Sequence, residues 1–306
     1  MRLAVTGATG FVGGHLLDAA GKVGHSIAAL ARCPQLPREG VDWIAGSLDD
    51  RAALDRLVES ADAVIHVAGV VNAPDAAGFE AGNVIGTGAV LAAAERAGIA
   101  RFVHVSSLSA REATLSHYGA SKARSEALVA ASPLSTVIVR PPAIYGPGDR
   151  ELLEMFKMAT RGFVLLPPAG RLSLLHAADL ARLLVVLAAP TAPTGPSAPT
   201  ETVDPDDGHP GGWTHREFGT LLGQAVGRKV RLAAMPSLIL KVAARADRLF
   251  RGRQAKLTPD RAAYFCHPDW VVDPANAISA AIWTAQIPTP QGLADTAAWY
   301  RAGGLL

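Results

Sequence analysis

Leu3-Ala4-Val5-Thr6-Gly7-Ala8-Thr9-Gly10-Phe11-Val12-Gly13 stands almost at the start of the chain and decides how the rest is read. A short apolar run stops at a glycine, and Gly7, Gly10 and Gly13 recur with GxxGxxG spacing. Glycine lets the backbone turn sharply after a strand and lets its N–H groups approach a pyrophosphate. It also lets the next helix lie close to the sheet with its N-terminus aimed at the anion. A dinucleotide held by Gly7, Thr9, Gly10, Phe11, Val12 and Gly13 is therefore expected. The same turn without a ligand is the weaker reading, because the turn directly follows the first strand.

Outward from this turn, short β-rich runs alternate with Ala- and Leu-rich segments of helical period as far as residue 140. That alternation predicts an α/β fold, a Rossmann-type doubly wound parallel sheet. Strands are expected at Leu3–Val5, Ser26–Ala31, Asp42–Ile44, Ala63–Val67, Phe102–Val105 and Thr136–Arg140. The clearest helix is Gly82–Arg96, with Val84, Val90, Leu91 and Ala94 on one stripe and Gly98 as its stop. After residue 140, Pro141, Pro142, Pro147 and Pro167-Pro168 break the rhythm. A strand and helix in Leu172–Ala189 are expected to return to the sheet. In Pro190–Gly212, 10 of 23 residues are Pro or Gly, which predicts a loop or linker. Helical patterning resumes at Trp213–Ala225, Pro236–Phe250, Pro259–Phe265 and Gln291–Tyr300. The expected division is a dinucleotide-binding domain over 1–189 and a smaller, mostly helical substrate domain over 190–306, with residues 141–170 contributing to the cleft.

Composition removes whole classes of function. The 306 residues are 49% apolar and 18% charged, with a formal net charge of +2. That balance leaves neither a disordered tail nor a basic footprint for nucleic acid. Two cysteines, Cys33 and Cys266, and nine histidines without HExxH or CxxC spacing offer no disulfide framework and no metal site. The uncharged stretch Leu183–Thr200 contains four prolines, so it offers no run of about 20 apolar residues to span a bilayer. Met1 and Arg2 lead straight into the first strand with no room for a leader, and a cytoplasmic location is expected.

Chemistry-bearing residues gather at the ends of the expected strands. The second strand ends Ala29-Leu30-Ala31-Arg32. An acidic side chain there would take the ribose 2′-OH of NAD(H), whereas Arg32 can offer a planar fork to a 2′-phosphate, so NADP(H) is favoured over NAD(H). In Tyr118-Gly119-Ala120-Ser121-Lys122 the phenol and the ammonium are four residues apart and share one helix face. A nearby ammonium would lower the phenol toward working pH and make Tyr118 an acid/base. Ser106, Ser107 and Ser109, after the strand Arg101–Val105, are candidates to bind the reacting oxygen.

With these residues in view, the chain resembles the extended short-chain dehydrogenase/reductases, the NAD-dependent epimerase/dehydratase-like branch, and within it the hydroxysteroid-dehydrogenase and reductase-like members. Beyond TGATGFVG and YGASK, the resemblance rests on Gly46-Ser47-Leu48-Asp49-Asp50, His66-Val67-Ala68-Gly69, Asn83-Val84-Ile85-Gly86-Thr87, Arg140–Asp149 and Leu175–Ala181, all in order. It implies Tyr118 as acid/base, Lys122 as its modulator and a ligand of the nicotinamide ribose, and Ser107 as the hydroxyl partner. It also implies Leu48 and Asp49 beside the adenine, Val67, Ala68 and Gly69 lining the cleft, and Pro141 near the nicotinamide. His66 and His104 are read as packed core histidines, and Asp179 as a helix cap.

The activity implied is hydride transfer between a nicotinamide cofactor and the carbonyl or secondary alcohol of a fairly apolar small molecule. The alternative is a nucleotide-sugar epimerase or dehydratase, and a non-enzymatic cofactor-binding scaffold is a third class. Family members that act on nucleotide sugars carry a longer segment between serine and tyrosine than Leu108–His117, which favours the first. Arg111, Arg161, Arg171 and Arg261 are the residues that could instead grip a diphosphate. The partner expected is a small molecule, with a homodimer suggested by the resemblance. Pro236–Phe250 is amphipathic, with Leu238, Ile239, Val242, Ala246 and Leu249 on one face and Lys241, Arg245 and Arg248 on another, followed by Arg251, Arg253 and Lys256. A lid helix over the substrate pocket is expected, with an anionic membrane surface as the alternative partner.

Overall fold

The computed structural model describes residues 1–189, 200–252 and 257–306. Residues 190–199 of the expected linker, and Arg253 and Lys256, lie outside the described residues, as does the side chain of Arg248. The six expected strands form as β1 (Arg2–Thr6), β2 (Ser26–Ala31), β3 (Val41–Ala45), β4 (Ala63–His66), β5 (Arg101–Val105) and β6 (Ser135–Val139). Between them run helices α1 (Phe11–Lys22), α2 (Arg51–Val58), α3 (Ala76–Phe79), α4 (Gly86–Arg96) and α5 (His117–Ala130). Then come β7 (Ala143–Tyr145), α6 (Leu153–Thr160), β8 (Phe163–Leu166), β9 (Arg171–Leu172), β10 (Leu174–His176) and α7 (Ala177–Ala188). Past the undescribed segment lie β11 (Thr200–Val203), β12 (Trp213–Thr214), α8 (His215–Ala225), β13 (Arg231–Ala234), α9 (Ser237–Arg251), α10 (Pro259–Cys266), β14 (Asp269–Trp270) and α11 (Thr289–Ala302).

The central sheet has seven strands in the order β11-β6-β5-β4-β1-β2-β3, and every pairing in it is parallel. Its order reverses between β1 and β4, where Thr6 lies opposite His66. A crevice opens at the carboxyl ends of strands flanking such a reversal, which is where this fold binds ligands. Alternate residues of each strand bury on opposite faces. Leu3, Val5, Ile65 and Val103 pack with Leu16 of α1 and Leu184 of α7. Ala4, Val64 and Phe102 pack with Leu54 of α2 and Val90 of α4. Full burial of each large apolar side chain contributes roughly 1.5–3 kcal/mol. A third core joins Tyr145, Phe156, Leu166, Phe218, Leu222 and Tyr300 beside the crevice.

Several elements differ from the sequence reading. The seventh strand is β11, inside the segment expected as a linker, whereas β10 pairs with β7 in a separate ribbon. The open edge of β6 has backbone groups to satisfy, and four residues suffice; Thr200 adds a hydroxyl contact of 2.8 Å to Thr136. The expected helix Gly82–Arg96 begins instead as a π-helical turn, Glu80–Ile85, and becomes regular at Gly86. Asp179 does not cap α7, a role taken by His176, whose Nδ1 accepts from the Ala178 N–H at 3.1 Å. The buried Asp179 carboxylate instead accepts the N–H groups of Gln286 and Ile287 at 3.2 and 3.0 Å. It thereby ties the C-terminal segment to the first core, where Trp283 is also buried. The division expected at 189/190 is thus crossed by β11 and again by this segment.

His66 and His104 are buried and stacked, with ring centroids 5.4 Å apart. Their partners are hydroxyls rather than backbone: Thr6 and Thr87 at 2.6 and 3.0 Å for His66, and Ser125 at 3.1 Å for His104. Burial pushes His66 down to about 3 and His104 well below its ordinary value, so both imidazoles are neutral.

Candidate active site

The glycine turn is dictated by contact as well as by φ. Gly7 has φ +74°, and a Cβ on it would lie 2.6 Å from the Ala68 nitrogen. A Cβ on Gly13 would lie 2.0 Å from the Gly7 carbonyl oxygen. These glycines let β1, α1 and the Val67-Ala68 stretch after β4 close on one another. Thr9 and Gly10 are exposed at the opening, with Phe11 and Val12 half-buried beside them. Helix α1 starts at Gly10 with no side-chain cap and no acidic residue in its first turn. Its N–H groups and dipole are left for an outside anion. Arg32 is exposed immediately past the end of β2. Leu48 is half-buried toward the start of α4, where a Cβ on Gly86 would meet it at 2.7 Å, and Asp49 is exposed and takes the Ser47 hydroxyl. This cradle fits a dinucleotide.

On the other side of the crevice, Ser116 caps α5 by accepting from the Gly119 N–H at 2.9 Å. The helix then carries Tyr118 and Lys122 on one face. The Ser107 hydroxyl lies beside the Tyr118 phenol, which it acts to lower, and is 2.9 Å from the Ser109 hydroxyl. Of the three candidate serines, Ser107 therefore meets the phenol. Ser106 is buried and donates to Glu126 at 2.5 Å. Ser109 is buried, with its hydroxyl beside Tyr264 of α10. Pro141 is buried behind, its carbonyl accepting the Leu108 N–H at 3.0 Å.

Lys122 is buried, and its ammonium donates to the Val105 carbonyl at 2.8 Å. Exposed Gly69 opens toward it: a Cβ there would lie 3.9 Å from Nζ. Burial lowers Lys122 to about 8 against the raising effect of Glu126. The Tyr118 phenol is pushed up to about 12, chiefly by burial, opposed by the Ser107 hydroxyl and assisted by Tyr264. The expected lowering of the phenol by Lys122 is therefore not found: burial dominates the phenol, and the ammonium donates to the Val105 carbonyl.

Three residues that sequence reasoning left unassigned organise the site. Asn83, buried in the π-helical turn, accepts from the Val70 N–H at 2.6 Å and donates to the Val70 carbonyl and to Ser121, both at 2.9 Å. Glu126, four residues after Lys122, is paired with Arg140 at 2.6 Å; that spacing was the available signal. Tyr264 comes from the far end of the chain, where no local pattern announces it. Over the crevice, Asp260 of α10 accepts the His117 N–H at 2.6 Å. Arg111 donates to the carbonyls of Val271 and Asp269, both at 2.6 Å.

A model of the NAD dependent epimerase/dehydratase family matches residues 3–196. The chain belongs to this family. As an epimerase/dehydratase family member it is 37% identical over 316 residues to the ceramide reductase of Caulobacter vibrioides (strain NA1000 / CB15N), covering 99% of this chain and 96% of that one. It is 35% identical over 179 residues to the 2-alkyl-3-oxoalkanoate reductase of Stenotrophomonas maltophilia (strain K279a), covering 50% and 54% of the two chains. The solved structure of MoeE5 in complex with UDP-glucose and NAD superimposes with a TM-score of 0.73 at 22% identity over 99% of both chains. The likeness to MoeE5 is one of fold. The family and its reductase relatives identify the chain as an NAD(P)-dependent oxidoreductase.

Proposed function

We propose that the chain is an NADP(H)-dependent reductase of a ketone on a long, apolar, ceramide-like skeleton. The observation that carries the reading is the Ser107–Tyr118 hydroxyl pair beside buried Lys122, facing the glycine cradle. Gly7, Thr9, Gly10, Phe11, Val12 and Gly13 would hold the cofactor's pyrophosphate, Leu48 and Asp49 its adenine, and Arg32 its 2′-phosphate. Val67, Ala68, Gly69, Lys122 and Pro141 would line its nicotinamide end. When bound, the cofactor supplies the hydride. Tyr118 holds the proton that the carbonyl oxygen takes up, and Ser107 donates a second hydrogen bond that orients that oxygen. Lys122 would hold a positive charge on the same helix face as the phenol.

The substrate class rests on what surrounds the phenol. Phe79 packs 6.0 Å from the Tyr118 ring, and Tyr264 is stacked on Trp270 at 4.4 Å, giving the mouth aromatic walls. The arginines that could have gripped a diphosphate are largely committed elsewhere. Arg111 and Arg171 serve backbone carbonyls, Arg261 pairs with Glu151 at 2.8 Å, and Arg161 is exposed at the end of α6. The likeness to a ceramide reductase over nearly the whole chain supports the same class.

The test combines cofactor and carbonyl. NADPH is expected to bind more tightly than NADH by nicotinamide fluorescence titration, with Arg32→Glu reversing or erasing the preference. Absorbance assays should show NADPH oxidation with long-chain keto-lipids and none with UDP-sugars. Equal cofactor affinities insensitive to Arg32→Glu would remove the NADP(H) assignment, and turnover confined to nucleotide sugars would replace the reductase reading with that of an epimerase or dehydratase.

A further inference from the structure

Helix α9 was expected to lay its apolar face on the body as a lid, and it does the reverse. Leu238, Ile239, Val242, Leu249 and Phe250 are exposed, Leu249 and Phe250 at 81% and 86%, while Leu240 and Ala244 are the buried positions. At about 100° per residue, Leu238, Leu249, Val242, Ile239 and Phe250 share an arc of about 120°. That arc is turned away from the sector holding Leu240 and Ala244. Exposed Lys241 and Arg245 run along one edge of it, while Arg251 at the end of the helix pairs with Asp247 at 3.3 Å. Single exposed leucines need no explanation, but five large apolar side chains on one helix do. An apolar arc bordered by cations matches the plane between lipid headgroups and acyl chains, where the cations meet anionic headgroups.

The helix is also close to the chemistry. It packs against α10, and α10 supplies Tyr264, beside the Ser109 hydroxyl, and Asp260, bonded to the first residue of α5. One helix therefore separates the exposed arc from the Tyr118 mouth. Among the described residues no helix is long and apolar enough to cross a membrane, so the arc would lie on a bilayer rather than span it.

We propose that α9 docks the protein on an anionic phospholipid bilayer, so that a keto-lipid reaches the Tyr118 mouth from the membrane surface; the substrate half of this proposal rests on the reductase reading above. The test is flotation of the full chain with vesicles of phosphatidylcholine alone or phosphatidylcholine mixed with phosphatidylglycerol. Binding is expected to the anionic vesicles, to fall about tenfold or more at about 0.5 M salt, and to be lost in the double variant Leu249→Glu/Phe250→Glu. Both side chains are almost fully exposed, so the variant should keep the wild-type melting temperature and wild-type turnover of a water-soluble short-chain ketone. Equal partitioning of wild type and variant, or no binding to anionic vesicles, would overturn the surface while short-chain turnover keeps the reductase reading intact. A dimer seen by sedimentation in the wild type and abolished in the variant, without vesicle binding, would assign the face to a second copy and equally overturn the proposal.

Discussion

A phenol pushed up to about 12 by burial keeps its proton across the whole working range. Tyr118 can therefore give a proton to a carbonyl oxygen, as the proposed reduction requires. Tyr118→Phe keeps the ring and the Phe79 contact and removes the only proton in that position. Turnover should fall by about 10²- to 10⁴-fold with NADPH affinity nearly unchanged. Lys122, lowered to about 8, sets the alkaline limit, so kcat/KM for reduction should be level below that pH and decline above it. A profile level to pH 10, or a Tyr118→Phe enzyme with wild-type kcat, would move the proton chemistry to another group. The pairing of Tyr118 with Lys122 was visible in the sequence because four-residue spacing is a local feature, whereas the strand end offered Ser106, Ser107 and Ser109 alike and only the family resemblance favoured Ser107. The state of Lys122 was not, since its partner is a carbonyl on β5 that only the fold brings near.

The first turn of α1 holds two adjacent glycines with opposite demands. A Cβ at Gly13 collides with the Gly7 carbonyl oxygen at 2.0 Å and with Ala8 at 2.7 Å, whereas a Cβ at Gly14 meets nothing within 4 Å. Gly13→Ala should therefore lower the unfolding free energy measured by urea titration by about 1–3 kcal/mol or more and weaken NADPH binding. Gly14→Ala in the same helix should raise stability by up to about 1 kcal/mol through helix propensity. Equal effects from the two substitutions would mean that α1 is not pressed against the turn. The same contrast explains which elements could be read beforehand. Strands β1 to β6 are short apolar runs bounded by turn residues, and their pattern is visible alone. Strand β11 is Thr-Glu-Thr-Val, with Val203 its single apolar residue, and it is a strand because β6 offers it an edge. Helix α9 shows the same amphipathic period whether its apolar arc faces inward or outward, so the sequence left its direction open.

Across the whole molecule, acid acts on the fold through its two buried histidines. His66 has a folded pKa of about 3 against 6.5 unfolded, and His104 is lowered in the same direction. As pH falls below 6.5 the unfolded chain takes up these protons first. The stability the neutral rings contribute, complete above 6.5, is then lost at up to about 1.4 kcal/mol per pH unit for His66 alone. Urea titrations at pH 7 and pH 5 should show this loss, and His66→Gln should flatten it; a midpoint independent of pH across that interval would remove the role given to burial. The return of the C-terminal segment acts at the same scale. Trp283 and its neighbours Ile278 and Ile282 pack into the layer formed by α1 and α7, and Asp179 holds the backbone that follows them. During synthesis, strands β1 to β6 leave the ribosome long before those residues exist. The nascent sheet then waits with an unsealed apolar seam, and until those residues arrive no native contact from them covers it, which leaves it open to aggregation.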